Sequence, residues 1–195
     1  MSHKVYIAKT NLENRLNRGE LVVAYNLDEL VDYDEFSTLG ALLELSHDSF
    51  YHVGFKMGET LTSIKNLLPN ARAGGCEVED LYEAFSNKIL QNKNLGIKFQ
   101  TKNFTEEPAD EQYEVVFCDG ALKNYGLEQQ KRIIDNMLKS STKYVVIIEK
   151  VTADLVGYIK YLGHTVENND EMTVVVKVVK KTPVKEVVQN DDRQE

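Results

Sequence analysis

Residues 49–77 read SFYHVGFKMGETLTSIKNLLPNARAGGCE, and this stretch decides the fold. Phe50, Tyr51 and Val53 suit a short buried strand, Gly54 and Gly58 bracket a turn, and Glu59 to Leu68 places apolar residues at helical spacing. Ala73 to Cys76 then forms a second short strand that ends on Glu77. Strand, glycine turn, helix, strand and terminal acid together outline a nucleotide-binding half of an α/β sheet. Glu77 lies 23 positions after Gly54, close to the roughly 20-residue offset at which an acid accepts hydrogen bonds from ribose hydroxyls. The turn departs from a full G-x-G-x-G pattern, because Lys56 stands where a middle glycine would.

The same alternation continues outward. Val78 to Gln91 reads as a helix with Leu81, Tyr82, Phe85, Ile89 and Leu90 inward, and Ile97 to Gln100 as a third strand. An acidic loop over 106–112 leads to Tyr113–Cys118, a continuous apolar strand of the kind found inside parallel sheets, ended by Asp119 and Gly120. A helix over Leu127–Leu138, a second continuous strand over Tyr144–Ile148 and a helix over Ala153–Leu162 follow. His164–Val166 and Met172–Val179, separated by ENNDE, read as a terminal hairpin. This order predicts an α/β fold: a doubly wound, mostly parallel sheet of seven strands, with helices on both faces and an antiparallel strand near the end. Ligands are then expected at the carboxyl ends of the strands.

Before this unit, residues 1–25 hold two short β-like runs that suggest an arm or ribbon, and 26–45 reads as a helix or broken helix pair. The domain is expected over 26–180. From 181 to 195 the chain is charged and without apolar period, which predicts a flexible tail.

With 195 residues, one α/β domain is the expectation. A formal charge of −8 argues against a protein held to nucleic acid mainly by phosphate contacts. Cys76 and Cys118 sit in apolar runs and read as reduced, core-facing thiols; neither has a metal-like spacing with histidine, so no metal site is expected. Without a signal-like apolar run or a membrane-length segment, a cytoplasmic protein is expected.

Several of these motifs, in register, resemble the class I S-adenosylmethionine-dependent methyltransferases, a Rossmann-like superfamily, over about residues 26–180. HVGFKMG is similar to that family's glycine motif, GCE to its acid-ended second strand, KNF to its adenine-side loop, and YEVVFCDGAL to its fourth strand and active-site lip. The YLGH turn before the hairpin is similar as well. The resemblance implies S-adenosyl-L-methionine as cofactor, bordered at its methionine end by His52, Gly54, Lys56 and Gly58. Glu77 would hold the ribose hydroxyls, Asn103 would face the adenine amino group, and Phe104 would pack beside the ring. Asp119 and Gly120 would meet the cofactor's amino end and the substrate, with Asp119 the catalytic candidate. Lys123, Asn124 and Tyr125 would line the acceptor side.

The expected activity is methyl transfer to a small-molecule or otherwise unspecified acceptor. His52 replaces the acid usual two residues before the first glycine, and Lys56 adds bulk and positive charge near a cationic cofactor. These departures support an alternative: a methyltransferase-fold binding or assembly module without catalysis, meeting a protein partner through its arm and tail. A nicotinamide-dependent oxidoreductase shares the opening unit, but the missing middle glycine and the antiparallel hairpin weigh against it.

Overall fold

Side chains of a strand alternate between the two faces of its sheet, so a continuous apolar strand needs cover on both sides. The computed structural model, which describes residues 42, 45, 48–55, 58–79, 95–169 and 173–180, shows both layers. Its elements are β1 (Ser49–Val53), α1 (Glu59–Leu67), β2 (Arg72–Glu77), β3 (Ile97–Thr101), β4 (Tyr113–Asp119), a 3₁₀ turn (Leu122–Asn124), α2 (Leu127–Ser140), β5 (Ser141–Ile148), α3 (Ala153–Tyr161), β6 (Thr165–Asn169) and β7 (Thr173–Lys177). They build one seven-stranded sheet in the order β3-β2-β1-β4-β5-β7-β6. The first five positions run parallel, and β7 lies antiparallel to both β5 and β6. The expected doubly wound sheet with an antiparallel hairpin strand is therefore present.

Tyr51, Val53, Cys76, Val116, Cys118, Val145 and Ile147 point to one face, where Ile133, Ile134 and Met137 of α2 and Leu155 and Ile159 of α3 cover them. Phe50, Ala73, Val115, Phe117, Val146 and Ile148 point to the other, beneath Leu61 and Ile64 of α1 and Leu42. Each fully buried side chain of this kind contributes about 1.5–3 kcal/mol. The four residues Val115–Cys118 are 0% exposed, which makes β4 the centre of the sheet in burial as well as in order.

Of the boundaries that differ from expectation, the last strand is shorter, Thr173–Lys177 instead of Met172–Val179, and two strands are longer for a shared reason: backbone pairing continues where the apolar pattern stops. β5 begins at Ser141 rather than Tyr144, directly after α2, because Ser141 pairs with Tyr113 and its hydroxyl donates to the carbonyls of Glu114 (3.1 Å) and Tyr144 (2.7 Å). β6 runs through Glu167–Asn169, part of the segment read as a turn, since Asn168 and Asn169 pair with Val175 and Val174 past a register shift. A strand at the sheet's edge tolerates such polar residues. The arm over 1–25, the tail over 181–195, nearly all of the helix expected over 26–45 and that over 78–91 beyond Glu79 lie outside the described residues. Among the described residues, no helix is long and apolar enough to cross a membrane.

Candidate active site at the carboxyl edge of the sheet

In-register pairing brings the strand ends level. Val53 pairs with both Cys76 and Cys118, Glu77 with Thr101, and Asp119 with Ile148. Gly54, Glu77, Asp119 and Glu149 are thus carried to one edge, on either side of the β1/β4 boundary where the strand order reverses. Such a reversal is where open α/β sheets bind ligands.

The turn after β1 has a conformation that needs glycine. Gly54 has φ 75°, in the left-handed region that costs side chains energy. Its N–H donates to the Cys76 carbonyl at 2.8 Å, folding the turn over β2. A Cβ on Gly54 would lie 2.9 Å from the Ala121 Cβ, so the turn also closes on the loop after β4. Gly58, at φ 82°, opens α1, and a Cβ there would lie 2.7 Å from the Phe99 ring. Lys56 lies outside the described residues.

Glu77 is half-buried, and its carboxylate accepts the Val78 N–H at 3.0 Å. Its carbonyl accepts the Lys102 N–H at 2.8 Å, tying the ends of β2 and β3 together. Tyr125 stands close enough for the Glu77 charge to act on it: burial raises the phenol's pKa and the nearby carboxylate raises it further. Burial pushes the Cys76 thiol up to about 12 and the Cys118 thiol well above its ordinary value, so both remain protonated at neutral pH. Among the described residues, no group of three or more His, Cys, Asp or Glu is arranged to hold a metal ion.

Asp119 closes β4 half-buried, and Gly120 follows at φ 63° with its N–H donating to the Ile148 carbonyl at 3.2 Å. Beyond it, Lys123 and Asn124 are exposed and Tyr125 is half-buried. Three side chains sit otherwise than the site reading anticipates. His52 is 3% exposed, its ring stacked on Phe117 at 4.3 Å in the layer beneath α1, because its register on β1 directs it with Phe50 and not to the edge. Phe104 is 3% exposed and lies in the opposite layer, 5.8 Å from the Tyr51 ring, with its carbonyl held by the Asn136 amide at 2.9 Å. The Asn103 oxygen accepts the Thr105 N–H and hydroxyl at 3.1 and 2.8 Å, and its amide donates to Glu106. These local donors make an Asx-type turn and occupy the side chain.

Glu149 is a site residue that the sequence motifs do not mark. It follows β5 as Asp119 ends β4, and the shared pattern of an acid closing a continuous apolar strand was the available signal. It is 7% exposed, and its carboxylate accepts the N–H groups of Leu122 and Lys123, each at 2.8 Å.

No protein-family model and no curated protein matches the chain. Solved structures do. The magnesium protoporphyrin IX methyltransferase of Synechocystis PCC 6803, with bound S-adenosylmethionine, aligns at TM-score 0.62 and 13% identity, over 88% of this chain and 97% of that one. The N-methyltransferase NodS of Bradyrhizobium japonicum WM9, in complex with S-adenosyl-L-homocysteine, aligns at 0.58 and 15%, over 88% and 98%. The pyocyanin biosynthetic protein PhzM aligns at 0.63 and 15%, over 74% of this chain but 54% of its own. The chain has the fold of the class I S-adenosylmethionine-dependent methyltransferases.

Proposed function

We propose that the protein is an S-adenosylmethionine-dependent methyltransferase acting on a small-molecule acceptor. The observation that carries this reading is the convergence of Gly54, Glu77 and Asp119 on the β1/β4 switch point, in a fold whose solved neighbours include proteins crystallised with S-adenosylmethionine or its demethylated product.

The residues suit such a cofactor on two of its sides. The Gly54 turn, held in its left-handed conformation at the end of β1, would present backbone to the cofactor's methionine end. Glu77, at the end of β2, supplies a carboxylate for ribose hydroxyls. Asn103 and Phe104 are committed to the turn and the core, so the adenine side depends on groups other than those two side chains. When bound, S-adenosylmethionine supplies an electrophilic methyl group. The chain's part is to position and desolvate the acceptor, an effect large enough to carry much of a transfer reaction. Asp119, beside Gly120, would orient an acceptor hydroxyl or amine and take its proton, while Lys123, Asn124 and Tyr125 would line the approach.

Calorimetric titration with S-adenosylhomocysteine tests the pocket without an acceptor. The parent should bind, and Glu77→Ala should bind at least about tenfold more weakly, because each charge-assisted hydrogen bond contributes roughly 1.5–3 kcal/mol. Parent and variant failing alike would overturn the enzyme reading. Binding gained only in Lys56→Gly would mark a non-catalytic descendant of the fold.

A further inference from the structure

The 3₁₀ turn Leu122–Asn124 is too short to satisfy its own backbone. A single turn leaves N–H groups at its start and carbonyls at its end without internal partners. Two side chains from elsewhere in the fold supply them. At the start, the Leu122 and Lys123 N–H groups each donate to a different oxygen of Glu149 at 2.8 Å. At the end, the Gln130 amide of α2 donates to the carbonyls of Leu122 and Tyr125, both at 3.0 Å. The Tyr125 N–H also returns to the Leu122 carbonyl at 2.9 Å.

The Glu149 carboxylate holds these bonds in a setting where burial disfavours its charge. Burial raises its carboxyl pKa, and the Asp119 charge raises it further, against the opposing pull of the two N–H groups and Lys123. The folded state therefore holds this proton more tightly than the unfolded chain does. Stability from this group falls as pH rises from glutamate's ordinary range through the raised folded value. Its two hydrogen bonds, by contrast, both depend on acceptor oxygens, which the ionised form supplies in full. The charged and titratable groups around it are Asp119 and Cys118 on β4 and Lys123 on the turn.

We propose that Glu149, assisted by Gln130, is a positioning residue that clamps residues 122–125 into a fixed wall on the acceptor side of the site. That the wall faces an acceptor rests on the methyl-transfer reading above; the clamp itself does not. Lys123, Asn124 and Tyr125 belong to this wall, so the clamp determines where their side chains start.

Proton–nitrogen NMR on the full chain tests it. In the parent, the Leu122 and Lys123 amide resonances should shift together on titration, with one midpoint above the ordinary glutamate range. In Glu149→Gln that transition should vanish, and at least one of the same two amides should exchange with solvent about tenfold faster or more, since a carboxamide keeps one acceptor oxygen of the two, while Val146 within β5 keeps its protection. Asp119→Asn should lower the midpoint without removing it. If Glu149→Gln leaves both the transition and the exchange rates as they were, or if Asp119→Asn removes the transition, the proposal is overturned. Should Glu149→Gln fail to fold, Gln130→Ala gives the second test: faster Tyr125 exchange supports the clamp, and an unchanged rate overturns it. A parent that does not bind S-adenosylhomocysteine would remove the methyl-transfer reading and leave the exchange result to stand alone.

Discussion

Gly54→Ala is expected to destabilise the fold by about 2–5 kcal/mol, the sum of a left-handed backbone penalty of roughly 1–2 kcal/mol and an overpacking cost of about 1–3 kcal/mol. The first contribution follows from φ 75°. The second follows from the 2.9 Å approach to the Ala121 Cβ, well inside the ~3.5–4.0 Å of an unstrained carbon contact. For a chain of this size the melting temperature should fall by on the order of 10 °C. Binding of S-adenosylhomocysteine should weaken with it, because the same Cβ forces the β1 turn away from the β4 loop. The double variant Gly54→Ala/Ala121→Gly separates the two costs: the overlap disappears and the backbone penalty remains. Urea melts of all four members of the cycle should show non-additivity of at least about 0.5 kcal/mol. Strict additivity would mean that the two loops do not press on one another.

Phe117→Ala should cost about 3–5 kcal/mol, the range for removing a fully buried aromatic ring. Phe117 is 0% exposed on the central strand β4, between β1 and β5. Its ring also carries His52, stacked at 4.3 Å two residues before Gly54, so the cavity would open beneath the turn as well as in the core. Denaturant unfolding should show a lower midpoint with an unchanged slope, which distinguishes lost stability from a change in the denatured state. Phe117→Leu should retain more than half of the lost stability. A Phe117→Ala loss below about 1 kcal/mol would contradict this packing.

The architecture was legible in the sequence because its signals are local. Continuous apolar runs such as Tyr113–Cys118 and Tyr144–Ile148 require cover on both faces, and the alternation with helices leaves few other topologies. Glu77 and Asp119 were legible because each ends such a run. What escaped depends on contacts between distant segments. His52 and Phe104 carry no mark of which face their side chains take. Asn103 reads as a free amide until Thr105 and Glu106 are seen folded onto it. Glu149 is followed by Lys150 and looks like a solvated loop acid; only the placement of Leu122 and Lys123 above β5 makes it a buried acceptor. The polar starts and ends of β5 and β6 were missed because ladder pairing leaves no apolar trace.

The strand order also bears on how the chain is made. Among the described residues, β7 is the last strand in sequence, yet it lies between β5 and β6, and β6 pairs with β7 alone. During synthesis, everything through β6 leaves the ribosome before that gap is filled. Until residues 173–177 emerge, β5 presents an open edge rich in valine and isoleucine, the kind of surface that recruits strands from other chains. The nascent protein thus completes its sheet by insertion rather than by addition at a border, and termination after β5 but before Thr173 leaves that edge open to intermolecular pairing.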